Sequence, residues 1–313
     1  MTAEPATKQP RPGAAAEPLV AEPPSFRRRG PMSGRAGWFS RSAVFVLCML
    51  WTIPTLGLLI SSFRDREAVR SSGWWTGLAS PLDFTQWTLQ NYDSVLFGAD
   101  NFANAFLNTV TVAVPSTVIP ITIAAFAAYA FSWMEFRGRE VLFVAVVALL
   151  VVPLHVAFIP MLRIYGNLGI SGTFLGLWLA HTGFGMPLAV YILKNYMSSL
   201  PREVIESAQV DGASHFQIFW RLAVPLSVPA LAAFAIFQFL WTWNDLLVAL
   251  VFLGTRSDVQ VLTVALQSII GSRGQDWHLL TSGAFITIVV PLIVFFSLQR
   301  YFVRGLTAGS IKG

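Results

Sequence analysis

Residues 42–63 read SAVFVLCMLWTIPTLGLLISSF, 22 positions without a charged side chain between Arg41 and Arg64. At about 1.5 Å per residue, such a run makes a helix of roughly 33 Å, enough to cross a hydrocarbon layer of about 30 Å. It is too long for the apolar core of a signal peptide and has no small-residue cleavage site, so it is read as a retained membrane helix. Five further segments pass the same test, at residues 106–131, 141–162, 174–193, 226–247 and 279–299. The expectation is an all-α, polytopic membrane protein with six transmembrane helices.

Composition supports this reading. Of 313 residues, 55% are hydrophobic and only 12% are charged, about half the charge of a typical soluble domain. Residues 1–40 are rich in Pro, Ala, Gly and Glu and lack apolar periodicity, which predicts a disordered cytoplasmic tail ahead of a transmembrane domain over residues 41–313. The single cysteine, Cys48, excludes a disulfide framework and a cysteine-based metal site. The net charge of +5 gathers at membrane edges, where positive residues set orientation, and is not read as a nucleic-acid surface. With the N-terminus inside, cytoplasmic segments hold 15 of the 21 Lys and Arg residues, so both termini are expected in the cytoplasm. The two long outer loops carry Trp and acidic residues. Trp74, Trp75 and Trp87 in the first are either interface anchors or contacts to an external partner.

The most informative stretch is the predicted cytoplasmic loop at residues 201–225, PREVIESAQVDGASHFQIFWRLAVP. Pro201 suits a first helical position and Glu203 complements the helix dipole. Asp211 and Gly212 supply a stop. Ser214 and Gln217 have capping-box spacing, with Ala213 and Ile218 at staple spacing, so a second short helix is expected to end near Pro225. Val204, Ala208, Ile218, Phe219 and Leu222 supply apolar faces. Arg202 and Arg221 stand against Glu203, Glu206 and Asp211, a net negative balance that argues against a DNA-reading helix-turn-helix.

Glu206-Ser207-Ala208, Asp211-Gly212-Ala213, Phe219 and Leu222-Ala223-Val224-Pro225 closely resemble the Glu-Ala-Ala loop of binding-protein-dependent importer permeases. Glu206, Ala208, Gly212 and Pro225 stand at the matching spacing, with Ser207 in place of the first Ala. Residues 299–313, QRYFVRGLTAGSIKG, are similar to the end of maltose-type sugar-importer permeases. The resemblance covers about residues 40–313. It implies the type I ATP-binding-cassette (ABC) importer permease fold in a bacterial cytoplasmic (inner) membrane. It further implies partnership with a second permease, two ABC ATPase subunits and an extracytoplasmic sugar-binding protein. The hairpin would dock on the ATPase through Glu206, Ser207, Ala208, Asp211, Gly212, Ala213, Phe219 and Pro225. Ile270, Gly271, Ser272, Arg273 and Gly274 resemble the segment that contacts the binding protein. Ser71-Ser72-Gly73-Trp74-Trp75 is similar to permeases for α-glucosides such as maltose or trehalose.

The only lysines are Lys8, Lys194 and Lys312, none in a phosphate-loop context, so nucleotide is expected to bind in trans. No metal spacing or catalytic grouping is present, and neither an enzyme nor a cofactor is expected. The alternative class is an ion-coupled secondary transporter. Its titratable candidates at depth are His155 and His181, each read as a packed, hydrogen-bonded histidine. Trp243-Asn244-Asp245 either lines the permeation path or is solvated at the membrane boundary.

Overall fold

The computed structural model describes residues 34–98, 101–269 and 276–308. The described chain falls into two compact units that divide between Thr52 and Ile53. The first apolar run lies in α1 (Gly34–Ser62). This helix begins ahead of the expected boundary at residue 41, so residues 34–40 of the segment read as a tail are helical. No proline follows Pro31 until Pro54, so nothing in the backbone stops the helix from extending back from its apolar run. Trp38, Phe39 and Trp51 are exposed, the pattern of a helix whose solvent is lipid or another apolar surface.

The expected outer loop after Arg64 is built of short helices, α2 (Arg66–Ser71), α3 (Trp74–Ala79) and α4 (Gln90–Phe97). Asp65 caps α2 by accepting the Ala68 N–H at 2.9 Å. Asn91 on α4 donates to the carbonyls of Ser62 and Arg64 at 3.1 and 2.7 Å, and the Tyr92 and Ser62 hydroxyls lie 2.6 Å apart. Burial raises the Tyr92 phenol above its ordinary value, while the Ser62 contact acts the other way.

The membrane domain is organised around α5 (Phe102–Trp133) and α8 (Phe174–Met197). Ala124 and Ala128 on α5 meet Ala189 on α8 in one buried cluster, small residues that let helix backbones approach closely. Between these helices the sequence predicts one continuous span over residues 141–162. Instead α6 (Arg139–Ala148) and α7 (Phe158–Leu168), with short 3-10 turns between them, meet at a 99° bend. The break falls at Val152 and Pro153. Proline disfavours the helical conformation in the residue before it, and Val152 is extended at ψ 121°. Among the described residues five helices are long and apolar enough to cross a membrane, and the count reaches the expected six if the bent pair is taken as one broken span.

Beyond the hairpin helices α9 (Arg202–Val210) and α10 (His215–Ile218), α11 (Val224–Trp243) ends before the expected Leu247. Asn244 turns its side chain back onto the Leu240 carbonyl at 2.8 Å. The Asp245 carboxylate accepts the N–H groups of Val248 and Ala249, opening α12 (Leu247–Phe252). Short polar side chains that bond the local backbone in this way interrupt helices. Helices α12 and α13 (Leu262–Ile269) pack Val248, Phe252 and Val264 against Val112, Phe158 and Leu177. The last helix, α14 (Trp277–Ala308), meets α11 where the Trp243 indole donates to the Thr287 carbonyl at 3.0 Å.

Candidate coupling hairpin

Helix α9 starts at Arg202, with Pro201 as its N-cap and not its first helical residue. Its one fully buried side chain is Ile205, 1% exposed, while Val204 faces outward. The inward face therefore runs through Ile205 and Ala208, at i and i+3, and not through Val204 and Ala208. Both spacings are helical, and what selects Ile205 is contact with a cluster that includes Met197 and Leu193.

The turn after α9 is closed by two backbone bonds. The Gly212 N–H reaches the Gln209 carbonyl at 3.0 Å and the Ala213 N–H reaches the Ala208 carbonyl at 2.9 Å, the pairing of a Schellman motif. Gly212 has φ +81°, a left-handed conformation that a side chain resists. Ala208 and Ala213 pack on the same cluster, so the Ala of the Glu-Ser-Ala triplet supplies both the accepting carbonyl and the small apolar contact of this cap.

The second half opens on the expected capping box. Ser214 accepts the Gln217 N–H at 3.3 Å and Gln217 accepts the Ser214 N–H at 2.8 Å. The helix does not end near Pro225. Residues Phe219–Ala223 form a π-turn and the chain continues directly into α11, with Pro225 in its first turn. The missing proline N–H is tolerated there, and the wider turn accommodates the proline ring. The hairpin's second half and the fifth membrane helix are thus one helical segment from His215 to Trp243.

This segment is clamped to α5. Phe219, 3% exposed, stacks on Phe126 at 4.5 Å between ring centroids and meets Tyr129 edge-on at 5.4 Å. The Tyr129 hydroxyl lies 3.1 Å from His215 Nδ1. Outward stand Glu206, Ser207, Asp211, Val210 at 88% exposure and Phe216 at 67%. A shallow cavity of about 390 Å³ lies along the turn and the second arm, lined by Asp211, Gly212, Gln217 and Arg221 among others. Glu206 makes no hydrogen bond or ion pair among the described residues.

Elsewhere the expected site residues separate. Ile270, Gly271, Ser272, Arg273 and Gly274 lie outside the described residues. The flanks of that loop are fixed, with Ile269 buried in the core and Asp276 paired to Arg66 at 3.3 Å. Trp243 is 1% exposed, Asp245 is turned inward to cap α12, and Asn244 is exposed. His155 is exposed at the α6–α7 bend. His181 is fully buried, but neither ring nitrogen has a hydrogen-bond partner among the described residues, and Nε2 stands 3.8 Å from the Asp245 carboxylate. Two of the three outer tryptophans are packed: Trp74 lies against Gly57 and Trp87 against Gly77, with only Trp75 largely exposed.

Hairpin, spans and bend together describe a transport component, and residues 120–308 match the family described as binding-protein-dependent transport system inner membrane component. The chain belongs to this family. It is a permease component of an ABC importer and not an enzyme, which sets aside the ion-coupled alternative. It is 60% identical to the osmoprotective compounds uptake permease protein GgtD of Synechocystis sp. (strain ATCC 27184 / PCC 6803 / Kazusa), over 86% of this chain and 90% of that one. It is 46% identical to the alpha-glucoside transport system permease protein AglG of Rhizobium meliloti (strain 1021), over 91% and 99% of the two chains. A chain from the crystal structure of a bacterial ABC transporter that imports the acidic polysaccharide alginate superposes with a TM-score of 0.62 at 15% identity, covering 86% of this chain and 96% of that one. That likeness bears on the fold, which the two chains share over most of their length.

Proposed function

We propose that this permease imports a small neutral α-glucoside, with trehalose or maltose as the leading candidates, through alternating access driven by ATP hydrolysis in a separate subunit. The two relatives named above are described by osmoprotective compounds and by α-glucosides, and trehalose satisfies both descriptions. The working complex comprises this chain, a second permease, two ATPase subunits and an extracytoplasmic sugar-binding protein, in the lipid of a bacterial inner membrane with both termini of this chain in the cytoplasm.

The observation that carries the mechanism is the continuity of the hairpin with α11. A load applied to the outward face of α9 and α10 reaches the fifth membrane helix without crossing a flexible joint. The Schellman turn and capping box satisfy the backbone groups that would otherwise let the hairpin fray, and Phe219 passes the displacement on to α5. Glu206, Asp211 and the exposed Phe216 are the groups offered to the ATPase. Phe219 and Pro225 act from inside, as packing and as part of the junction with α11.

The test is saccharide-stimulated ATP hydrolysis by the reconstituted complex, native against Gly212→Pro and Glu206→Ala. Gly212→Pro, which cannot adopt φ +81°, should abolish stimulation while the subunits still co-purify. Full stimulation and uptake in both variants would remove the coupling role.

A further inference from the structure

At the opposite end of the molecule from the hairpin lies an open groove of about 480 Å³, lined by Ser61, Arg70, Ser72, Trp74, Trp277 and Thr281. Its place follows from α5, the helix that links the two ends. Gly283 on α14 touches Phe102 at the start of α5, whereas the hairpin is clamped to Tyr129, roughly 40 Å further along the same helix. That distance exceeds the hydrocarbon thickness, so groove and hairpin belong to opposite faces of the membrane.

The groove's wall is held in place by a buried cation. Arg64 is 2% exposed, and its guanidinium donates to the Gly73 carbonyl at 2.8 Å, the Ser72 hydroxyl at 2.7 Å and the Thr76 hydroxyl at 3.1 Å. It has no carboxylate partner among the described residues, and neither has Arg70. The Arg66–Asp276 pair next to the groove is already closed. Trp277 is 55% exposed, and its indole N–H has no partner among the described residues. The groove therefore offers two indoles, a free guanidinium and the field of a second, fixed one. It is rich in donors and aromatic surface and poor in free carboxylate.

We infer that this groove is an extracytoplasmic saccharide subsite, which receives the sugar on its way from the binding protein into the permease. The inference rests on the proposed reading of this protein as a saccharide importer. A saccharide fits the chemistry on both counts, because its ring and hydroxyl oxygens accept from Arg70 and the Trp277 indole while its apolar C–H face lies on an aromatic ring. The volume lies within the range of small-ligand sites. The pre-set Ser72–Gly73 wall reduces the ordering needed on binding.

The experiment uses the reconstituted permease and ATPase complex without binding protein, with maltose and trehalose as probes and intrinsic tryptophan fluorescence as readout. The native complex should show saturable quenching by at least one of the two. Trp277→Ala should lose that signal, and Arg70→Ala should weaken binding about tenfold, as expected for removal of a hydrogen bond from a charged donor. Both variants should still co-purify with the second permease and the ATPase subunits at the native melting temperature, which shows that they are folded and assembled. A flat native titration beside normal uptake of the same saccharide would overturn the subsite and leave the importer reading intact. Quenching by inorganic phosphate and by neither disaccharide would overturn it in favour of a simple anion site. Failure of the native complex with binding protein to take up either disaccharide would instead strike the parent reading.

Discussion

The hairpin of α9 and α10 and the α8–α11 contact around His181 are built on the same long helices and treat their polar groups in opposite ways. In the hairpin, the turn carbonyls of Ala208 and Gln209 and the capping pair Ser214 and Gln217 are all engaged. In the α8–α11 region, Gln238 donates to the Ser116 carbonyl at 3.1 Å. The Gln238 carbonyl, the Ser116 and Thr242 hydroxyls and both His181 ring nitrogens have no partner among the described residues. The backbones lie so close that a side chain on Gly185 would meet the Gln238 amide at 2.6 Å. Full satisfaction holds one geometry, which suits an element that transmits displacement. Unsatisfied polar groups in a tight helix contact leave that contact poorly optimised in this conformation, which suits helices that must change their packing during transport.

Five substitutions would break or sharpen this contrast. The largest effect is expected from Phe219→Ala, which removes the ring stacked between the hairpin and α5. It should cost about 3–5 kcal/mol, read as a lower melting temperature of the purified complex together with lost ATPase stimulation. Gly212→Pro comes next, at about 3 kcal/mol for an incompatible backbone, and a melting temperature equal to native would show that the left-handed turn is not enforced. On the other side of the comparison, His181→Leu removes two buried ring nitrogens without partners. It should leave stability unchanged or raise it by about 1–3 kcal/mol. A clear loss of melting temperature would mean that the histidine is satisfied after all, and the contrast between the two regions would fail. The smallest effect belongs to Ser214→Ala, about 1 kcal/mol for the lost cap. Its Gln217→Ala counterpart should give a similar shift, and the double variant less than the sum if the two act as one box.

Several of these features were legible in the chain itself. Gly212 announced a left-handed turn, Ser214 and Gln217 a capping box, and both rules are local enough to need nothing beyond neighbouring residues. Val204 and Ile205 show where local rules stop: each has helical spacing to another apolar residue, and only the cluster beneath α9 decides which one is buried. Pro153 lies inside residues 141–162, yet a hydropathy count passes straight through it, because apolarity measures fitness for lipid and not the path of the backbone. Pro225 misled in the opposite direction, since a proline that should have closed a short helix was absorbed by a π-turn.

By itself the sequence determined the solvent of the chain and the chemistry of the hairpin caps, because apolar length and cap residues act over one or two turns. Only the tertiary structure decided that the hairpin is continuous with α11, that Arg64 is buried beneath the outer groove, and that His181 lies 3.8 Å from Asp245, 64 positions away in the chain. Those arrangements depend on which helices meet and at what angle. Such meetings are set by packing between surfaces distant in sequence, which no local pattern of residues encodes.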